Sequence, residues 1–253
     1  MDFGRDETPP PKVVLVTGAC RFLGGYLIAR LAQNSSIDRV IAVDAVTPSK
    51  DLKRRMGRAE FVRADIRNPF IAKVIRGNDV DTVVHAAAAS YAPQSGGRAT
   101  LKELNVMGAM QLFAACQNAP TVRRVVLKST SEVYGSNQFD PVMFTEAGGA
   151  RRPLRDGFGR DSTDIEGYVR GLGRRRQDIT VTILRLANMI GPAMDTALSR
   201  YLAGPVVPTV FGRDARLQLL HEQDALSALE RATLAARPGT FNIGARGVCD
   251  GKF

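Results

Sequence analysis

The strongest constraint on this chain is a series of short, uninterrupted apolar runs set between helix-like segments. The runs are Val13–Val16, Val40–Val43, Phe61–Ala64, Thr82–Ala87, Val125–Leu127 and Val181–Leu184. A strand with one face in water alternates polar and apolar residues, whereas a strand covered on both faces need not. Between the runs lie segments with apolar residues at helical spacing: Tyr26–Ala32, Pro69–Ile75 and Val106–Cys116. Strand and helix in alternation predict an α/β chain with a doubly wound parallel sheet. In such sheets ligands bind beyond the carboxyl ends of the strands.

Composition narrows the class further. The 253 residues are 44% hydrophobic and 24% charged, which excludes collagen-like and largely disordered chains. No run reaches the roughly 18 uncharged apolar residues of a membrane span. The opening MDFGRDETPPPK lacks the apolar stretch of a secretory signal, so residues 1–12 read as a disordered arm and a cytoplasmic setting is expected. Cys20, Cys116 and Cys249 are an odd set without ligand spacing, and His85 and His221 stand far apart. Neither a metal site nor a Ser-His-Asp triad is expected. His85, inside an apolar strand, reads as a satisfied core histidine. The net charge of +10 suits anionic partners. The clusters Arg151, Arg152, Arg155 and Arg174–Arg176 lack interleaved aromatics and read as solvated surface, so no specific nucleic acid is expected.

The first run leads into VTGACRFLGG, Val16–Gly25, and the second ends at Asp44, 26 residues after Gly18. A glycine after a strand permits a tight turn, and the following helix turns its amides and dipole toward a pyrophosphate. A carboxylate closing the second strand can accept hydrogen bonds from an adenosine ribose and repels a 2′-phosphate. This order of elements predicts a Rossmann nucleotide site. The spacing Gly18-x-x-Arg21-x-x-Gly24 lacks the middle glycine that allows close backbone approach. The Arg21 side chain either pairs with the phosphates or fills their place.

The chain resembles the extended short-chain dehydrogenase/reductase family, the NAD-dependent nucleotide-sugar epimerases and dehydratases of which UDP-glucose 4-epimerase is the best-known type. The resemblance is carried, in order, by VTGACRFLGG, Asp44, ADIRN (Ala64–Asn68), VVHAAA (Val83–Ala88), LNVMGAMQL (Leu104–Leu112), STSEVYGS (Ser129–Ser136), LRLANMIGP (Leu184–Pro192), LLHEQDAL (Leu219–Leu226) and FNIG (Phe241–Gly244). It implies NAD as cofactor, a nucleotide-sugar substrate and, by default, a homodimer. Gly18, Phe22, Leu23 and Gly24 would line the pyrophosphate, with Arg21 among them. Asp44 would hold the ribose, Asp65 and Ile66 would flank the adenine, and Ala86 and Ala87 would lie against the cofactor. Asn105 matches a helix asparagine behind the site. Thr130 matches the residue that binds the reacting hydroxyl. Asn188 and, one place out of register, Arg216 match substrate-side residues; Arg213 is the other arginine there. His221 matches a structural histidine, and Asp224 would cap or orient the next helix.

The resemblance also sets the domain expectations: a cofactor domain at 13–190, rejoined by a strand at 240–244, a partial substrate lobe at 191–239 and an irregular tail at 245–253. Because ARGVCDGKF stands where the family continues, the substrate lobe is expected to be small and incomplete.

The family's chemistry uses a tyrosine and a lysine four residues apart on one helix face, the lysine lowering the tyrosine pKa and binding the nicotinamide ribose. No Tyr-x-x-x-Lys occurs here, and no lysine lies between Lys128 and Lys252. Counting back from LRLAN places Phe158 at the tyrosine position and Ser162 at the lysine position. The stretch Pro141–Arg160 is expected to be loop. Thr163-Asp164-Ile165-Glu166 reads as a capping box, with a helix beginning only after Ser162. Tyr168, assisted by Arg170 or Arg174, and Glu132 are the candidate replacements for proton transfer. Three functions follow: an NAD-dependent epimerase or dehydratase acting on a nucleotide sugar, a family member that binds the dinucleotide without turnover, or a basic polyanion binder.

Overall fold

The computed structural model describes residues 9–88, 97–137, 140–141, 143–155, 157–194, 196–206, 216–247 and 249–250. Strand β1 (Val13–Thr17) is followed by helix α1 (Phe22–Gln33), β2 (Arg39–Asp44), α2 (Lys50–Arg55), β3 (Glu60–Arg63), α3 (Phe70–Gly77) and β4 (Thr82–His85). Then come α4 (Arg98–Lys102), a π-turn (Glu103–Met107), α5 (Gly108–Gln117), β5 (Arg124–Thr130) and a 3₁₀ turn (Ser131–Tyr134). The last part holds α6 (Phe158–Arg175), β6 (Thr180–Leu186), β7 (Asn188–Ile190), α7 (Ala197–Leu202), β8 (Arg216–Leu217), β9 (Leu219–His221), α8 (Glu222–Leu234), β10 (Gly239–Ile243) and β11 (Cys249–Asp250).

Seven strands form one parallel sheet in the order β10-β6-β5-β4-β1-β2-β3. This is the doubly wound Rossmann arrangement, with the order reversing between β1 and β4. Alternate strand residues feed two cores. Leu15, Ile41, Val83, Val125 and Leu127 meet α3, α5 and α6 through Ile71, Leu112, Phe113, Ile165 and Leu172. Val14, Val16, Val40, Val84 and Val126 meet α1 and α8 through Leu27, Ile28, Leu31, Leu226 and Leu229. Burial on both faces is why these strands read as continuous apolar runs. Two further pairs, β7 with β9 and β8 with β11, form separate two-stranded sheets.

Residues 9–12 of the expected arm are tied down. Asp81 accepts from the Lys12 and Val13 amides at 2.8 Å each, and the Pro9 carbonyl accepts from Arg124 at 3.1 Å. Residues 1–8 lie outside the described residues.

Two helix expectations change. The Val106–Cys116 periodicity belongs to α5, but α5 continues from α4 through the π-turn that carries Asn105. Helix α6 begins at Phe158, not after Ser162, so Arg160 is helical rather than loop. Glu166 does not close a capping box. Its buried carboxylate accepts from Ser129 at 2.7 Å and from Arg185 at 3.0 and 2.8 Å, while the Thr163 hydroxyl donates back to the Gly159 carbonyl at 2.9 Å. A Cβ on Gly159 would stand 2.5 Å from the Glu132 carbonyl oxygen. The glycine is there for close packing of α6 on the 3₁₀ turn, not to break the helix.

Candidate active site at the carboxyl edge of the sheet

The cleft at the switch point is lined by Gly18, Arg21, Asp44, Asp65, Ile66, His85, Ala87, Ala88, Leu104 and Asn105, with Val43–Val46 and Ala64 completing the wall. Strand-end, turn and helix residues from five separate stretches of sequence thus converge where β1 and β4 part.

The glycines earlier assigned to the turn have packing reasons to be there. Gly18 has φ +78°, and a Cβ on it would lie 2.7 Å from Ala87 Cα. A Cβ on Gly24 would lie 2.1 Å from the Gly18 carbonyl oxygen. Backbone therefore meets backbone at the mouth of the cleft. Helix α1 starts with Arg21 at the N-cap, and no side chain caps it. Its first-turn amides remain available to an anion. Among the described residues, the Arg21 guanidinium makes no hydrogen bond or ion pair.

Phe22 and Leu23 are not among the residues that line the cleft. The Phe22 ring packs on Tyr26 at 4.5 Å between centroids, with Arg55 over the Tyr26 ring, and Leu23 lies in the α1–α8 core. Ala86 is buried behind the wall, while Ala87 and Ala88 face the cleft.

The Asp44 carboxylate accepts from the Cys20 amide at 2.9 Å and the Val46 amide at 3.1 Å. These bonds aim it at the cleft and leave lone pairs for hydroxyls. Asp65 is gripped by Arg67, with contacts of 2.6 to 3.1 Å. That bond, against the cost of burial, holds its carboxyl below the usual range. Asn105 is buried, with Nδ2 donating to Asp161 at 3.4 Å. Asp161 in turn accepts from Arg98 at 2.7 Å on each oxygen, which fixes the π-turn against α6. A π-turn inside a helix is a frequent mark of a functional site.

His85 is not a satisfied core histidine. Its Nδ1 lies 2.8 Å from Thr17 Oγ1, but Nε2 is buried without a partner among the described residues, and the ring borders the cleft. Burial first, and Lys128 second, lowers its pKa to about 3, so it is neutral at neutral pH.

The catalytic candidates separate. Thr130 ends β5, nine-tenths buried, and its Oγ1 accepts from the Glu132 amide at 3.3 Å. Among the described residues no group accepts the hydroxyl's own proton. Glu132 stands in the 3₁₀ turn, where burial raises its pKa and Lys128 opposes the rise. Tyr168 is 37% exposed, about three turns along α6 from Phe158, and is not brought to the cleft. Phe158 and Ser162 both lie in the first turns of α6, and the Ser162 hydroxyl is buried without a partner among the described residues. Asn188 is exposed at the start of β7. The Arg216 side chain and Arg213 lie outside the described residues. At α8 it is His221, not Asp224, that caps: its Nδ1 accepts from the Gln223 amide at 3.2 Å.

Sequence reasoning passed over His85, Ala88 and Lys128 as site residues. Lys128 Nζ donates to the Ala88 carbonyl at 2.6 Å and lies 5.5 Å from the Phe158 ring centroid. The available signal was a lysine inside an otherwise covered strand.

These residues fit an adenine dinucleotide: open helix amides for the diphosphate, an oriented carboxylate for a ribose, and an apolar slot beside Ile66. No group of metal-ligating side chains occurs among the described residues, and none of their helices is long and apolar enough to cross a membrane.

Comparison with known proteins supports this fit. The model of the NAD dependent epimerase/dehydratase family matches residues 14–244. An uncharacterized protein of Mycobacterium tuberculosis (strain ATCC 25618 / H37Rv) is 82% identical over 238 residues, covering 94% of this chain and 63% of the relative. The chain thus spans less than two thirds of that relative's length. UDP-glucuronic acid decarboxylase 6 of Arabidopsis thaliana is 27% identical over 253 residues, covering 91% of this chain and 68% of the relative. Among solved structures, the dTDP-glucose 4,6-dehydratase DesIV of Streptomyces venezuelae, with NAD and TYD bound, superposes with a TM-score of 0.76 at 26% identity, covering 95% of this chain and 78% of that one. UDP-glucose 4-epimerase of Thermotoga maritima, with UDP-glucose, shares the fold at a TM-score of 0.78 and 23% identity, covering 94% and 78%.

Proposed function

This chain belongs to the NAD dependent epimerase/dehydratase family, and from that premise we propose that it binds NAD in the cleft and acts on a nucleotide sugar as an epimerase- or dehydratase-type oxidoreductase. The observation that carries the reading is the convergence of Gly18, Asp44, Asp65, Ile66 and Ala87 on one cleft at the switch point. NAD, when bound, supplies a reversible hydride acceptor. Asp44 receives the adenosine ribose and, by its charge, disfavours a 2′-phosphate. The first amides of α1, joined by Arg21, receive the diphosphate. Thr130 orients the substrate hydroxyl, and Glu132, whose pKa burial raises, is the proton acceptor beside it. Asn188 and Arg216 serve the sugar nucleotide, and a homodimer is the default assembly.

A second reading is favoured by Phe158 and Ser162: a family member that holds the dinucleotide without turnover. Phenylalanine cannot ionise, and Ser162 carries no charge. Calorimetric titration with NAD, with Asp44→Ala as control, tests the binding common to both readings. Product formation from a panel of UDP- and dTDP-sugars separates them. No heat and no thermal shift with NAD would sink both.

A further inference from the structure

We propose that Lys128 is the cation of the dinucleotide cleft, reaching it from β5 in place of the lysine that α6 lacks. The assignment rests on the reading of the cleft as an NAD site and on one juxtaposition. The Lys128 ammonium sits on the Ala88 carbonyl, beside the ring of Phe158 and across from Arg21.

A lysine in an interior strand of a sheet covered on both faces is an exception to the rule that buries apolar residues there. Lys128 follows Val126 by two, so it leaves β5 on the α1 side of the sheet, near its carboxyl end. Its stem then runs up to the sheet edge, where Ala88 borders the cleft. The ring it reaches belongs to Phe158, the residue at the family's tyrosine position. One turn farther along α6, at the lysine position, Ser162 leaves a buried hydroxyl without a partner among the described residues. Lys128 is not itself a lining residue of the cleft, but its charge stands behind the Ala88 wall, and it comes from the strand and not from the helix.

The ammonium is poorly compensated. Among the described residues no carboxylate forms an ion pair with it. Three groups face it electrostatically: Arg21 from the start of α1 and His85 from β4, which is neutral, and Glu132 from the 3₁₀ turn. A partly desolvated cation beside a second cation is costly. The Ala88 carbonyl and the Phe158 ring compensate it only in part, since neither carries a negative charge. An anionic ligand lying between Arg21 and Lys128 removes the cost. The diphosphate and ribose oxygens of a dinucleotide have that chemistry.

A consequence follows for protons. Burial first, and Arg21 second, lowers the Lys128 pKa to about 8. A bound anion raises it again, so binding draws protons onto Lys128 just above that value. His85 titrates well below this range, and the nearby Cys20 thiol is pushed up to about 11; the arginine variant separates Lys128 from Glu132, whose pKa burial raises.

The test is calorimetric titration of the whole chain with NAD at about pH 8.5 in phosphate and in Tris, whose ionisation enthalpies differ, so the heat difference reports protons taken up. The wild type is expected to take up a fraction of a proton per NAD. Lys128→Arg, charged throughout, keeps its affinity within a few-fold and takes up none. Lys128→Met binds roughly tenfold or more weakly and takes up none. Uptake that persists in Lys128→Arg, or wild-type affinity in Lys128→Met, overturns the role of Lys128 and leaves the NAD reading standing. Absence of NAD binding to the wild type overturns both. Should Lys128→Met fail to fold, as judged by circular dichroism, the arginine variant alone decides.

Discussion

A single hydroxyl separates Phe158 from the tyrosine that the family resemblance implies there, and the Lys128 ammonium lies 5.5 Å from its ring centroid. Phe158→Tyr is therefore expected to place a phenol beside that cation and to lower its pKa below the ordinary value of about 10. Ultraviolet titration of phenolate, by difference from wild type, checks this. The shift is expected to vanish in the Phe158→Tyr, Lys128→Met double variant. Beside it, His85 carries a prediction of opposite kind. It is neutral in the fold, with a pKa near 3, but takes up a proton near about 6.5 once unfolded. The unfolded state then binds more protons between these values, so His85 withdraws stability as pH falls through that window. His85→Gln is expected to flatten this slope, by up to about 1.4 kcal/mol per pH unit, in denaturant titrations at stepped pH. Of these residues, Asp44 and Gly18 were legible because their place in the chain fixes their place at a strand end. Lys128 and His85 were not, because a side chain's reach beyond its strand depends on which neighbouring loops stop short of it.

At the scale of elements, α6 is the part whose limits the local sequence misplaced. Thr163 and Glu166 have the spacing of a cap, yet Glu166 is spent on Arg185, which also donates to Tyr134 at 2.8 Å. Tyr134 in turn donates to Asn242 at 2.6 Å. Burial works against the charge of Glu166, but Arg185, Ser129 and Arg170 together hold its carboxyl below the usual range. This chain of contacts fastens α6 to β5, β6 and β10, and so places Phe158 and Ser162. Glu166→Ala leaves Arg185 buried and unpaired and is expected to cost about 3–5 kcal/mol, measured by urea denaturation. Gly24→Ala is expected to destabilise the start of α1, since its Cβ would stand 2.1 Å from the Gly18 carbonyl oxygen. A lowered thermal midpoint together with weakened NAD binding checks it. The short pairs β7–β9 and β8–β11 were likewise not foreseen, whereas the strands of the seven-stranded sheet were readable to within a residue or two at most ends. Their apolar runs answer to burial on both faces, which any parallel arrangement of this order would impose.

For the whole molecule, the reversal of strand order between β1 and β4 is what turns five stretches of sequence into one cleft. Binding there links cofactor to stability. NAD is expected to raise the thermal midpoint progressively with concentration above its dissociation constant. NADP is expected to raise it far less if, as proposed, Asp44 receives the adenosine ribose and so repels a 2′-phosphate. Asp44→Ala is expected to narrow the difference, and thermal unfolding with each dinucleotide checks both statements. What the sequence by itself determined was the layer architecture, the family and the absence of a tyrosine–lysine pair, since each depends on residue type and order along the chain. Only the tertiary structure decided where charge sits in the cleft. The position of Lys128 beside Phe158, the orphaned nitrogen of His85 and the early start of α6 depend on contacts between segments remote in sequence, and no local pattern records them.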